Sequence, residues 1–266
     1  MGEEKTDKNH LYISTIGWII LIAFVATSIW LLQQYKRSIL NQYAHILARV
    51  DQTAASENNR YQFITVPGTK EQFLVEPMYK YTNYNDVWTL VNRAHSIPLG
   101  YKPASLTTIA VSTYDNQPLM VRNELIEPLK SLTTAAEASG VYLMVRSAYR
   151  SSEEQAAVTK EVDQGVAALP GQSEHQTGLA VDFNNQPNNC GNYCSLNKLS
   201  AQWLAENAYK YGFILRYPEE KESITGYPPE AWHYRYVGTR LAKAIHSSGL
   251  TYDEFYNLFQ AARPRT

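Results

Sequence analysis

The chain has 266 residues, 44% of them hydrophobic and 18% charged, with 24 Lys and Arg against 25 Asp and Glu. That length gives one large domain or two small ones with a proper core, and a formal net charge of −1 leaves no basic footprint for nucleic acid. Few Gly (13), Pro (12) and Cys (2) exclude collagen-like, disordered and disulfide-dense classes.

After a short polar tail of residues 1–10, the run from Leu11 to Leu32 carries no charged side chain over 22 positions. As a helix it would be roughly 33 Å long, enough for the ~30 Å hydrocarbon core of a bilayer. Signal peptides have apolar cores of only about 7–15 residues, so an uncleaved transmembrane anchor over 11–32 is expected. Tyr12 at one end, with Trp30 and Tyr35 at the other, suit interfacial positions. Lys5 and Lys8 before the run are matched by Lys36 and Arg37 after it, so charge alone does not orient the anchor.

Ile39, Tyr43, Ile46 and Val50 then recur at helical spacing. This juxtamembrane helix would pack on its own domain or on lipid headgroups, and weak self-association is the other outcome. With the polar stretch from Asp51 to Asn59 it forms a connection over 33–59. Residues 60–266 remain for the folded domain.

In that domain Val121, Leu125, Leu129, Leu132 and Ala136 mark a helix stripe ending at Ser139-Gly140, with Pro128 as a potential kink. Val141 to Val145 reads as a strand. Ser151 and Glu154 form a capping box for a following helix that carries Gln155. Pro170-Gly171 marks a turn, and Leu179 to Phe183 a second strand. Ser200 is placed to cap a helix that Gly212 closes. Phe213 to Tyr217 and His233 to Val237 are further strands, and Thr251 with Glu254 caps a closing amphipathic helix. The class expected is α+β, a small antiparallel sheet with packed helices, preceded by one transmembrane helix.

Chemistry concentrates in three segments. His175 and Asp182 lie in SEHQTGLAVDF, and His233 lies in PPEAWHYRYVG three residues after Glu230. Two His and one Asp with an open fourth position would suit a catalytic zinc, and Glu230 would be free to move protons beside it. Spacing alone is weak evidence, and the other reading is two unrelated histidines that cap strands or hydrogen-bond core carbonyls. Arg150, at a strand-to-helix junction with Gln155 nearby, would suit a carboxylate or an oxyanion. Its other reading is a surface Arg paired with Glu153 or Glu154.

The strings Ser147 to Gln155 (SAYRSSEEQ), Pro170 to Asp182 (PGQSEHQTGLAVD) and Glu230 to Gly238 (EAWHYRYVG) occur in an order that closely resembles the VanY-type D-alanyl-D-alanine carboxypeptidases, zinc metallopeptidases of bacterial peptidoglycan. WTLVNR from Trp88 to Arg93, PLGYKP from Pro98 to Pro103, and Trp203 to Phe213 extend the likeness over about residues 85–250. The resemblance implies one Zn2+ held by His175, Asp182 and His233, with Glu230 as catalytic base. It also implies Arg150 at the substrate's carbonyl or carboxylate, helped by Ser173 and Gln155. Ala148 stands where the family more usually has Gly.

The activity so implied is removal of terminal D-Ala from peptidoglycan stem peptides. The alternatives are an L,D-carboxypeptidase trimming tetrapeptide stems, a dipeptidase acting on free D-Ala-D-Ala, and a non-catalytic wall-binding module. Such stems lie outside the cytoplasmic membrane, which would orient the anchor with residues 1–10 in the cytoplasm and the domain in the bacterial cell's exterior. In that oxidising setting Cys190 and Cys194, in an Asn-rich loop, are expected to form a local disulfide. Expected partners are the stem peptide and membrane lipid, with no nucleic acid.

Overall fold

The structure, a computed structural model, describes residues 23–31, 33–34, 62–75, 84, 86–161, 167–185 and 196–261. The chain divides into two compact units, 1–58 and 59–266. In the first, residues 23–31 are helical, and Phe24, Ile29, Trp30 and Leu31 are exposed. Among the described residues no helix is long and apolar enough to cross a membrane. Among the described residues, the expected 11–32 span is therefore not supported. Its first half, residues 11–22, lies outside the described residues, as does the juxtamembrane stretch 35–59.

The second unit is α+β, and its described residues form three antiparallel sheets where the sequence suggests one. Strands β1 (Gln62–Thr65) and β2 (Gln72–Val75) form one hairpin, and β3 (Leu106–Thr108) pairs with β4 (Met120–Arg122). The main sheet has four strands, β5 (Leu143–Ser147), β6 (Ala180–Asn185), β7 (Phe213–Tyr217) and β8 (Glu230–Tyr236), in the order β5-β6-β8-β7.

Helix α1 (Ile126–Ala138) begins later than its apolar stripe. Val121 belongs to β4, yet it shares a core cluster with Leu125, Leu129, Leu132 and Ala136, so the stripe runs across a strand-to-helix junction. Pro128 sits in the helix's first turn, where its missing N–H has no intrahelical acceptor to lose. Both capping boxes close reciprocally. Glu154 N–H donates to Ser151 Oγ at 3.2 Å and Ser151 N–H to the Glu154 carboxylate at 2.7 Å, opening α2 (Ser152–Glu161). Thr251 and Glu254 do the same at 3.1 and 2.7 Å, opening α6 (Tyr252–Ala261).

The helix expected from Ser200 is α3 (Lys198–Asn207), capped by Asn197, whose side-chain oxygen accepts from Ser200 N–H at 2.8 Å. Ser200 is instead the residue three positions past the cap, and its hydroxyl accepts from Asn185. Gly212, at φ 88°, reverses the chain into β7, and a Cβ there would lie 2.6 Å from the Tyr236 ring. Short helix α4 (Glu222–Thr225) and helix α5 (Thr239–Ser248) flank β8.

The core fills one face of the main sheet. Leu129 and Leu132 of α1 and Leu204 of α3 pack in one cluster with Val145, Val181, Phe183 and Tyr234. Complete burial of each such Leu contributes about 1.5–3 kcal/mol. Successive strand residues face opposite sides. With Val181, Phe183 and Tyr234 turned to the core, Asp182, His233 and Arg235 are turned to the other face, and that face carries the chemistry.

Candidate active site

Pairing of β6 with β8 sets Asp182 directly opposite His233. His175 arrives from a 3-10 turn, Glu174–Thr177, that precedes β6. Gly178 closes this turn at φ 69°, where a Cβ would stand 3.0 Å from Leu106 and 3.1 Å from Arg122. The buried amide of Gln176 accepts from Gly171 N–H and donates to the Pro98 carbonyl, tying the turn to the segment before β3.

His175 Nε2 lies 3.2 Å from one Asp182 oxygen, and His233 Nδ1 lies 3.0 Å from the other. One ligand atom from each of the three residues falls within 4.8 Å of the others. His175 Nδ1 donates to the Ala148 carbonyl at 2.7 Å, which leaves Nε2 with its lone pair toward the cluster. Two imidazole nitrogens and one carboxylate oxygen, with a position left open, fit one zinc ion. The reading of His175 and His233 as unrelated core histidines does not survive this geometry.

Burial opposes ionisation of Asp182, but His175 and His233 hold its carboxyl well below the usual range. Burial lowers His175, and Arg150 acts in the same direction against Asp182. For His233 burial is outweighed by Asp182 and Glu174, which push it up to about 9.

Glu230 opens β8, three residues before His233. Regular alternation would set residues three apart on opposite faces. The register between β7 and β8 shifts between Leu215 and Tyr217, where Tyr217 pairs with Glu230, and such irregularities re-aim side chains. The Glu230 carboxylate ends 3.8 Å from His233 Nδ1. Burial raises its pKa and Asp182 adds to the effect, against His233.

Arg150 is not the surface residue of its simpler reading. Its guanidinium donates to Gln155 Oε1 at 2.8 Å and to Ser147 Oγ at 2.7 Å. Gln155 is buried, and its amide nitrogen donates to the Ala168 carbonyl at 2.6 Å, so both ends of that amide are engaged within the protein. Ser173 is buried beside His175. A cleft of about 190 Å³ collects Arg150, Gln155, Ser173, His175, Asp182, Glu230 and His233, with Tyr217, Tyr227 and Trp232 on its walls. Cys190 and Cys194 lie outside the described residues.

Sequence reading misses the ionic cluster behind the cleft. Glu174, Arg216, Arg235 and Asp253 are all buried. Glu174 accepts from Arg216 at 2.8 Å and Arg235 at 3.0 Å, and Arg216 donates to Asp253 at 2.6 Å. Although burial opposes it, the two guanidiniums hold the Glu174 carboxyl far below its ordinary range. For Glu174 and Arg235, a place next to His175 and two after His233 is the only signal the sequence carries, and Arg216 and Asp253 have none of that kind.

The D-alanyl-D-alanine carboxypeptidase model of the VanY family matches residues 118–239, a span that holds all of these groups except Asp253. "Putative carboxypeptidase YodJ" of Bacillus subtilis is 37% identical over 186 residues, covering 65% of this chain and 68% of that protein. The chain belongs to the VanY family. Among solved structures of VanY-type and related enzymes, the LdcB LD-carboxypeptidase is 32% identical with a TM-score of 0.59, over 74% of this chain and 94% of its own. A VanY D,D-pentapeptidase mutant from the VanB-type resistance cassette, solved in complex with Zn(II), is 35% identical with a TM-score of 0.53, over 64% of this chain and 99% of its own.

Proposed function

We propose that this VanY-family carboxypeptidase is a zinc-dependent D,D-carboxypeptidase that hydrolyses the terminal D-Ala from peptidoglycan stem pentapeptides. The observation that carries the reading is the convergence of His175, Asp182 and His233 with Glu230 and Arg150 on one cleft. The zinc-bound VanY D,D-pentapeptidase supports the metal and the D,D register. The likeness to the LdcB LD-carboxypeptidase favours a second reading, trimming of tetrapeptide stems with the same residues.

His175 through Nε2, His233 through Nδ1 and one oxygen of Asp182 would hold the ion. Zinc held there supplies Lewis-acid polarisation of the scissile carbonyl and activation of the attacking water. Glu230 takes the proton from that water and passes it to the departing amine of D-Ala, so its carboxyl must be ionised at the start of each turnover. Arg150 presents a cation to the free C-terminal carboxylate or the developing oxyanion. Gln155 and Ser147 fix the plane of that guanidinium, and Ser173 adds a hydroxyl at the cleft.

Glu230→Gln is expected to retain zinc at the parent's stoichiometry while kcat falls by about 10²–10⁴-fold. Parent-level turnover in that variant would remove Glu230 from the mechanism.

The uncharged run at 11–32 supports an enzyme tethered to the membrane, and a stem-peptide substrate outside the cytoplasmic membrane orients it with the N-terminus in the cytoplasm and the catalytic unit outside. External protease added to intact cells should then release the 60–266 unit, whereas a protected domain would contradict this topology. In that compartment Cys190 and Cys194 form a disulfide that closes their loop.

A further inference from the structure

Glu174 divides its carboxylate between two partners. Oε1 accepts from both Arg216 Nε, at 2.8 Å, and Arg235 Nη1, at 3.0 Å. Oε2 is left to face His233 Nε2 at 3.5 Å. Two carboxylates face His233, and both only accept; Asp182 would turn to the ion once zinc is held, whereas Glu174, outside the ligand set, keeps facing Nε2, the nitrogen that would then retain its hydrogen. The opposite nitrogen, Nδ1, is the one that faces Asp182 and the cluster.

We propose that Glu174 is the positioning residue of the metal centre, holding His233 as an Nε2–H donor so that its Nδ1 lone pair is presented to zinc. This rests on the reading of His233 as a zinc ligand. The arrangement is complementary to that of His175, where a backbone carbonyl holds Nδ1–H and Nε2 faces the ion. A carboxylate partner makes an imidazole a stronger ligand, so the two histidines are not equivalent.

The surroundings of Glu174 suit this role. Two carboxylates, Glu174 and Asp253, balance two guanidiniums, Arg216 and Arg235, so a full negative charge reaches His233 without an uncompensated buried charge. Its position is fixed from two directions. Arg235 also donates to the carbonyls of Val87 and Thr89, and Asp253 of α6 receives Arg216 and the amide of Asn92.

The test compares Glu174→Gln with Asp253→Asn, which disturbs the same ionic cluster without touching His233. In competition with a chelating dye, Glu174→Gln is expected to bind zinc about 10- to 100-fold more weakly than the parent. In the zinc-loaded, isotope-labelled protein, the His233 Hε2 proton should be downfield and protected from solvent exchange in the parent, and unprotected in Glu174→Gln. Asp253→Asn should lose thermal stability yet keep the parent's zinc affinity and protected proton. Unchanged zinc affinity in Glu174→Gln, or an equal loss in both variants, overturns the proposal. Should Glu174→Gln not fold, the parent decides: a freely exchanging His233 Hε2 contradicts the proposal and a protected one supports it. His233→Ala separates the two layers. Parent-like zinc affinity there would refute the ligand assignment itself, whereas lost affinity there with retained affinity in Glu174→Gln refutes only the positioning role.

Discussion

At the scale of single residues, the site works by giving like groups unlike surroundings. Asp182 lies between two imidazoles that keep it ionised, while Glu230, largely buried and near Asp182, is pushed upward. One carboxylate is thereby suited to hold an ion and the other to exchange a proton. The pH dependence follows. A base must be ionised to act, so activity is present above the raised Glu230 pKa and is lost as pH falls through it. The acid limb of the kcat/KM profile should lie above the ordinary carboxylate range and vanish in Glu230→Gln, and a limb at an unperturbed carboxylate value would contradict the assignment. His175, Asp182, His233, Glu230 and Arg150 were legible in the sequence because three ordered motifs that resemble a known family carry them, whereas spacing alone left core histidines and a surface arginine open. Glu174, Arg216, Arg235 and Asp253 were not, because an isolated charged residue reads as solvent-facing and only the fold shows that these four neutralise one another.

At the scale of elements, local signals were reliable where they were reciprocal. The Ser151–Glu154 and Thr251–Glu254 boxes each satisfy two helix-terminal groups, and both helices begin there. Ser200 was a one-sided signal, and Asn197, three residues earlier, took the cap. Apolar spacing failed at Val121, since strand β4 and helix α1 feed the same core and the stripe continues through their junction. Register irregularities had no signature in the sequence, yet they decide the site. One lies between Val145 and Ser147 opposite Asp182, and the other re-aims Glu230. Helix α6 carries Asp253, so its cap bears on the ionic cluster as well as on stability. Thr251→Ala should cost about 1 kcal/mol by urea denaturation, with a shift of the midpoint at unchanged slope. An unaltered midpoint would show that the box contributes nothing to holding α6.

At the scale of the whole molecule, the catalytic unit is organised by the two faces of one four-stranded sheet. One face is closed by α1 and α3 around a continuous apolar core. The other is held by polar ties from distant parts of the chain. Trp88 Nε1 donates to the Val237 carbonyl, Tyr252 donates to the Trp88 carbonyl, and the Trp88 ring packs edge-on against Phe73, Phe255 and Phe259. The segment before β3 and the last helix thus brace the site from behind, while the cleft stays open toward Trp232. The central claim is that this cleft removes a terminal D-Ala from pentapeptide stems by zinc chemistry. Mass spectrometry of defined muropeptide pentapeptides and tetrapeptides, incubated in parallel with the purified protein with and without chelator, tests it most directly. The pentapeptide is expected to lose one alanine residue, the tetrapeptide to remain intact and chelator to abolish the loss; cleavage of the tetrapeptide alone, or pentapeptide cleavage that persists in chelator, would contradict this activity.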